Sequence, residues 1–206
     1  MPAARPGPNA DARLQITLLG AELAGRPGPQ DLLRLHRALA AAHDRCGEYR
    51  AARDHAASEL GLRETLQGPE HPDTLTARAS LAGWTGVAGD AAAARDLVAA
   101  LLPVRERVLG PEDPDTLTAR ANLASWTGQA GDAAAARDQY AALLPAMERV
   151  SSPDTLTARA NLVGWTGEAG DAAAARDLVA ALLPAMERVS GPEHPDTLTT
   201  RANLAG

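Results

Sequence analysis

Small and apolar residues recur along this chain at helical spacing, and the spacing itself recurs in blocks. After Pro72-Asp73, the residues Ala77, Leu81, Trp84 and Ala88 fall at offsets 0, 4, 7 and 11, which places them on one side of an α-helix. Gly89-Asp90 then supplies a turn and a fresh helix cap. From Ala91, the positions Ala94, Val98, Leu101, Leu102 and Val108 form the inward face of a second helix, which Gly110-Pro111 stops. Proline suits the first helical position, and Asp73 in the first turn favours the helix dipole. Ahead of it, His71, Asp113, Ser152 and His194 occupy the N-cap slot in successive blocks. Pro103, Pro145 and Pro184 sit about three turns into the second helices, with Gly61 in the first block, so a kink or break is expected at that level.

The blocks are copies of one unit. Pro-Asp-Thr-Leu-Thr begins at Pro72, Pro114, Pro153 and Pro195, at spacings of 42, 39 and 42 residues. The short spacing is a three-residue deletion where Leu109-Gly110-Pro111-Glu112-Asp113 gives way to Ser151-Ser152, a turn in which deletion is cheap. Residues 73–114 and 154–195 differ at seven positions, so these copies arose by recent duplication. A more divergent copy occupies 31–72, where Gly47, Arg53-Asp54 and Gly68-Pro69-Glu70 keep register with Gly89, Arg95-Asp96 and Gly110-Pro111-Glu112. The expected organisation is an N-terminal segment 1–30, with a helix over Asp11 to Gly25, then copies 31–72, 73–114, 115–153 and 154–195 and a partial copy 196–206.

Composition sharpens the class. The chain has 206 residues, 47 of them alanine and 28 leucine, but one isoleucine and no phenylalanine, a balance that favours helix and excludes a β-sandwich or barrel. All 20 basic residues are arginine, as codon bias in a GC-rich genome would produce. A net charge of −6 opposes nonspecific binding to nucleic acid or anionic membranes. No apolar stretch is long enough to span a bilayer, one cysteine cannot form an internal disulfide, and no signal-peptide pattern opens the chain, so a cytoplasmic protein is expected.

The run Asn122-Leu123-Ala124, then Gly131-Asp132, Ala136 and Tyr140, resembles the tetratricopeptide repeat. The 42-residue unit, with Arg105-Glu106-Arg107-Val108-Leu109-Gly110-Pro111-Glu112 leading into Pro114-Asp115-Thr116-Leu117, looks like the kinesin-light-chain subtype of that family. The resemblance covers roughly residues 31 to 206 and implies an all-α right-handed solenoid of antiparallel helix pairs, whose concave face, lined by first helices, binds a protein or peptide. It also implies that an asparagine before the leucine of each first helix bonds a peptide backbone; the matching positions are Asn122, Asn161 and Asn203, with Ser80 in copy two and Ala38 in copy one. Thr76, Thr118, Thr157 and Thr199 lie one turn earlier and share that face, which makes a polar ladder. Arg78, Arg120, Arg159 and Arg201 lie about 200° round the helix from the ladder. The chain departs from the family in carrying Trp84-Thr85, Trp126-Thr127 and Trp165-Thr166 where an aromatic pair is usual.

Other chemistry is weak here. The tryptophans read as inter-repeat packing, and Gly83, Gly86, Gly164 and Gly167 as sites of close helix approach, with a groove floor as the alternative. His71-Pro72-Asp73 and His194-Pro195-Asp196 reproduce the tripeptide of J-domain proteins, but Asp113 and Ser152 in the same slot make it a helix cap. His36, His43, Cys46 and His55 lack a recognisable zinc spacing, so no metal or other cofactor is expected. No phosphate loop or nucleophile elbow is present. Arg95-Asp96, Arg137-Asp138 and Arg176-Asp177 read as a solvated or inter-repeat ion-pair ladder. The expectation is a non-catalytic, bacterial, cytoplasmic scaffold or regulatory adaptor that binds a protein or peptide. Two alternatives stand beside it: a self-assembling module joined through open repeat ends, prompted by Leu198 and Leu204 lacking a covering helix, or a piece of a larger signal-transduction ATPase.

Overall fold

The computed structural model describes residues 8–152 and 154–205, with the side chains of Pro8, Asn9, Asp196 and residues 202–205 left aside. Among the described residues every regular element is a helix. In order these are α1 (Pro8–Ala24), α2 (Pro29–Arg45), α3 (Tyr49–Gln67), α4 (Pro72–Val87), α5 (Ala91–Val108), α6 (Pro114–Gln129), α7 (Ala133–Arg149), α8 (Thr155–Glu168), α9 (Ala172–Val189) and α10 (Pro195–Ala205). Copies one to four are thus α2–α3, α4–α5, α6–α7 and α8–α9, and α10 opens the fifth.

The chain divides into two units, Met1–Leu101 and Leu102–Gly206, with the division inside α5. In the first, α1 packs on α2, α2 on α3 and α3 on α4; in the second, α6 packs on α7, α7 on α8, α8 on α9 and α9 on α10, and α6 also reaches α8. The turns within copies are short, which makes successive helices antiparallel.

One device joins the two helices of copies two, three and four. At the end of α4, Gly89 takes φ +105° and donates its N–H to the Gly86 carbonyl at 2.9 Å, while the Asp90 N–H reaches Thr85 at 3.1 Å. This double capture of the last carbonyls needs a left-handed residue, and glycine adopts it without a Cβ clash. Asp90 then caps α5 by accepting from the Ala93 N–H at 2.9 Å. Asp132 and Asp171 cap α7 and α9 the same way. The first helices also open as the sequence predicts: His71 Nδ1 accepts from the Asp73 N–H at 3.2 Å, and Asp113 from the Asp115 N–H at 2.9 Å. In the shortened copy, Ser151 takes the positive φ (+51°) that glycine takes elsewhere.

Three expectations change. Helices α5, α7 and α9 run unbroken through Pro103, Pro145 and Pro184. All three prolines are exposed, so water can serve the carbonyl that loses its donor. The buried stripe of α4 is Thr74, Leu75, Ala77, Ala82, Thr85 and Gly86, whereas Leu81, Trp84 and Ala88 are only half-buried. A helix with neighbours on two sides buries small residues at the closest approach and sends its largest side chain to the flank. Finally Val108 is exposed rather than inward; Arg105, one turn earlier, is the buried residue there and donates to the Asp115 carbonyl at 2.6 Å.

The N-terminal segment does form a helix, and it lies on α2. Ala12 is buried, Arg34 pairs with Glu22, and Arg45 donates to Gln15.

Candidate functional site

Thr118 and Asn122 stand one turn apart on α6, both exposed, and on α8 Thr157 is exposed with Asn161, half-buried, one turn on. In the first unit Thr76 is half-buried and Ser80 exposed on α4. The threonine hydroxyls are held by their own helices: Thr76, Thr118 and Thr199 donate to Pro72, Pro114 and Pro195 carbonyls at 2.9–3.0 Å, and Ser80 to Thr76 at 3.1 Å. Each oxygen keeps a lone pair with which to accept from a ligand. The Asn203 side chain lies outside the described residues.

Thr157 and Thr199 come together. They line a depression of about 550 Å³ with Leu156, Ala160, Met186, Ser190 and Thr200. Its lining holds hydroxyls, a thioether and aliphatic carbon, with no charged side chain.

The asparagines are not equivalent. Asn161 is half-buried and donates through Nδ2 to Tyr140 Oη at 3.0 Å, whereas Asn122 is exposed. Tyr140 is 1% exposed, and its hydroxyl also meets Ser125 Oγ at 2.5 Å and the Ala121 carbonyl at 2.9 Å. One phenol therefore ties α6, α7 and α8, and burial raises its pKa above the usual value against the opposing hydrogen bonds from Ser125 and Asn161. Copies two and four place Val98 and Val179 at the tyrosine position and Gly83 and Gly164 at the serine position. The sequence carried this signal: tyrosine and serine change together, and only in copy three.

The arginines turn away from the ladder. Arg78, Arg120, Arg159 and Arg201 pair with Glu64, Glu106, Glu148 and Glu187 of the preceding helix at 2.5–2.7 Å. Each of the first three sits on the rim of an apolar depression. Leu60, Leu81, Leu97 and Leu101 line one in the first unit; Leu102, Leu123 and Leu143 line one in the second, and Leu144, Leu162, Leu178 and Leu182 another, with volumes of about 180, 260 and 360 Å³. By contrast Arg53-Asp54, Arg95-Asp96 and Arg137-Asp138 are neighbour pairs whose carboxylates are about two-thirds exposed, hence a solvated decoration.

The tryptophan and glycine readings separate. Trp165 packs on the core formed by Leu117, Ala124, Tyr140, Leu143 and Met147, and its ring lies 2.7 Å from where a Cβ on Gly128 would stand. Gly128 is therefore a true close-approach site. Nothing lies within 4 Å of such an atom at Gly83 or Gly164, and at Gly167 only Ala175 Cβ does, at 3.9 Å.

His36 and His55 face each other with Nδ1 atoms 3.0 Å apart, and His43 stacks on His55 while its Nδ1 meets Glu48 at 2.6 Å. Among the described residues no group of three or more His, Cys, Asp or Glu is arranged to hold a metal ion, and no helix is long and apolar enough to cross a membrane.

These features define an all-α protein of repeated helix hairpins. Residues 81–149 match one model of the tetratricopeptide repeat and residues 155–196 another. The chain belongs to the tetratricopeptide-repeat family. Among solved structures it is similar to a Podosopora anserina protein described as carrying nearly identical kinesin-light-chain TPR-like repeats, with 20% identity, a TM-score of 0.73, and coverage of 86% of this chain and 85% of that one. It is equally similar to BtubC (BKLC) from P. vanneervenii, at 20% identity and TM-score 0.73 over 96% of this chain and 80% of that one. At that identity the likeness is one of fold. No curated protein matches the chain by sequence.

Proposed function

We propose that this chain is a non-catalytic scaffold or regulatory adaptor, working in the cytoplasm, that binds a protein or peptide on the helix face carrying Thr118, Asn122, Thr157 and Thr199. The observation that carries the reading is the uncharged depression in which Thr157 and Thr199 meet. Hydroxyls beside aliphatic walls suit a peptide segment, whose backbone needs hydrogen-bond partners and whose side chains seek burial. Fold alone would leave function open, so the weight rests on this lining.

The test is selection of a displayed random-peptide library against the purified full chain. Selected peptides should bind Asn122→Asp and Thr157→Arg at least about tenfold more weakly, a loss near 1.4 kcal/mol. They should bind Asp138→Asn, in the solvated Arg137–Asp138 pair, as they bind wild type. Equal binding to all three variants would move the site off the Thr/Asn face.

Self-assembly has one observation in its favour: Leu14 and Leu18, one turn apart on α1, are 60% and 62% exposed. Light scattering that shows an unchanged monomer mass up to high concentration removes that reading.

A further inference from the structure

Copy one departs from the others at the positions that hold its hairpin. Arg78, Arg120 and Arg159 of later copies become His36, and Leu97, Gln139 and Leu178 become His55. Where the later copies leave an apolar depression beside a permanent ion pair, copy one closes α2 on α3 with a contact between two imidazoles, Nδ1 to Nδ1 at 3.0 Å. Such a contact is a hydrogen bond only while one nitrogen keeps its lone pair. A second proton turns it into two N–H groups facing each other, with the His43 ring stacked on His55 at 5.3 Å between centroids.

The surrounding charges are already engaged. Arg34 of α2 pairs with Glu22 of α1 and lies near Asp31; Arg37 of α2 lies 3.6 Å from Glu59 of α3. Arg63 of α3 takes both Glu59 and Asp73 of α4, Glu64 takes Arg78 of α4, Arg53 takes Asp54, and Glu48 holds His43. The two carboxylates that act on the rings, Glu59 on His36 and Asp54 on His55, are each already held by an arginine and balance a doubly charged pair only in part. We propose that the His36–His55 seam is an acid-sensitive latch, which holds α2 on α3 at neutral pH and releases them when both imidazoles are protonated. Burial of both rings acts in the same direction, holding the pKa of His36 below the ordinary value against Glu59, and that of His55 below it, together with the charges of His36 and His43, against Asp54.

Because both values are depressed in the folded chain, the unfolded chain binds more protons. The stability contributed here is complete above about pH 6.5 and is lost as the pH falls through the folded values. The later second helices carry no histidine.

Hydrogen exchange on the full chain, read as protection factors at pH 7.5 and 5.0, tests this. Protection across residues 29–67 should fall by about tenfold or more at pH 5.0, while that across 133–189 changes by less than about twofold. The double variant His36→Arg, His55→Leu, which installs copy two's residues, should abolish the difference; His55→Gln, after copy three, serves if the double variant folds poorly. An equal loss in both regions, or a pH effect that survives these substitutions, overturns the latch.

Discussion

At one level of its second helix, copy one buries Glu59 and Arg63 as an ion pair 2.8 Å apart; copy three places Leu143 and Met147 at those positions. Arg63 is 7% exposed and reaches on to Asp73 at 2.9 Å, while Met147 is 1% exposed within an apolar cluster. Copy two is intermediate, with Leu101 beside Arg105, whose guanidinium burial pulls below its usual pKa against Asp115 and Asp113. Each copy is a helix hairpin turned at a glycine of positive φ, Gly47, Gly89 or Gly131. One fold thus accepts a charged seam or an oily one, provided that every buried charge keeps its partner.

The comparison breaks most sharply at that pair. Arg63→Met leaves the Glu59 carboxylate, 5% exposed, with only the longer 3.6 Å contact to the exposed Arg37, and should destabilise the first unit by about 3 kcal/mol. Glu59→Leu with Arg63→Met, which rebuilds copy three's seam, should restore stability or raise it by about 1–4 kcal/mol. Urea unfolding of both variants measures this, and a double variant no better than the single one would show that the seam chemistry is not interchangeable.

A smaller contrast lies between two glycines of the second unit. Gly128→Ala drives a methyl into the Trp165 ring and should cost about 1–3 kcal/mol, whereas Gly164→Ala meets nothing and should stabilise its helix by about 0.5–1 kcal/mol. Thermal melts of the pair should therefore shift in opposite directions. Tyr140→Phe removes the hydroxyl that copies two and four never had, and should cost about 1–2 kcal/mol because Asn161 and Ser125 lose their shared partner. In the Asn161 side-chain amide resonances it should appear as faster exchange with water. Smallest of all, Arg120→Ala cuts a pair whose side chains are about one-third exposed and should cost at most about 1 kcal/mol, fading with added salt.

Helices, turns and caps were legible because each rests on a local rule: Gly89 must be left-handed, Asp90 must cap, and the 42-residue recurrence repeats the demonstration. What periodicity cannot report is which side chains meet across helices. It marks Trp84 as apolar but not that Ala82 and Gly86 take the buried positions. It places Asn122 and Asn161 on one face but is blind to the Tyr140 hydroxyl that engages one of them, because valine and tyrosine fill the same buried position and differ at the tip. The recurrence of Arg78 and Arg120 was visible, but the ion-pair ladder expected from the sequence was the Arg–Asp neighbours; that these arginines pair with Glu64 and Glu106 needed the helix-to-helix geometry.

The most direct test of the binding account is calorimetry with a selected peptide on Asn122→Asp and Asn161→Asp, each checked for unchanged helicity. Asn122 is exposed and Asn161 is occupied by Tyr140, so the account predicts at least about a tenfold loss of affinity for the first and less than about threefold for the second. Equal losses, or a larger loss at Asn161, would contradict it.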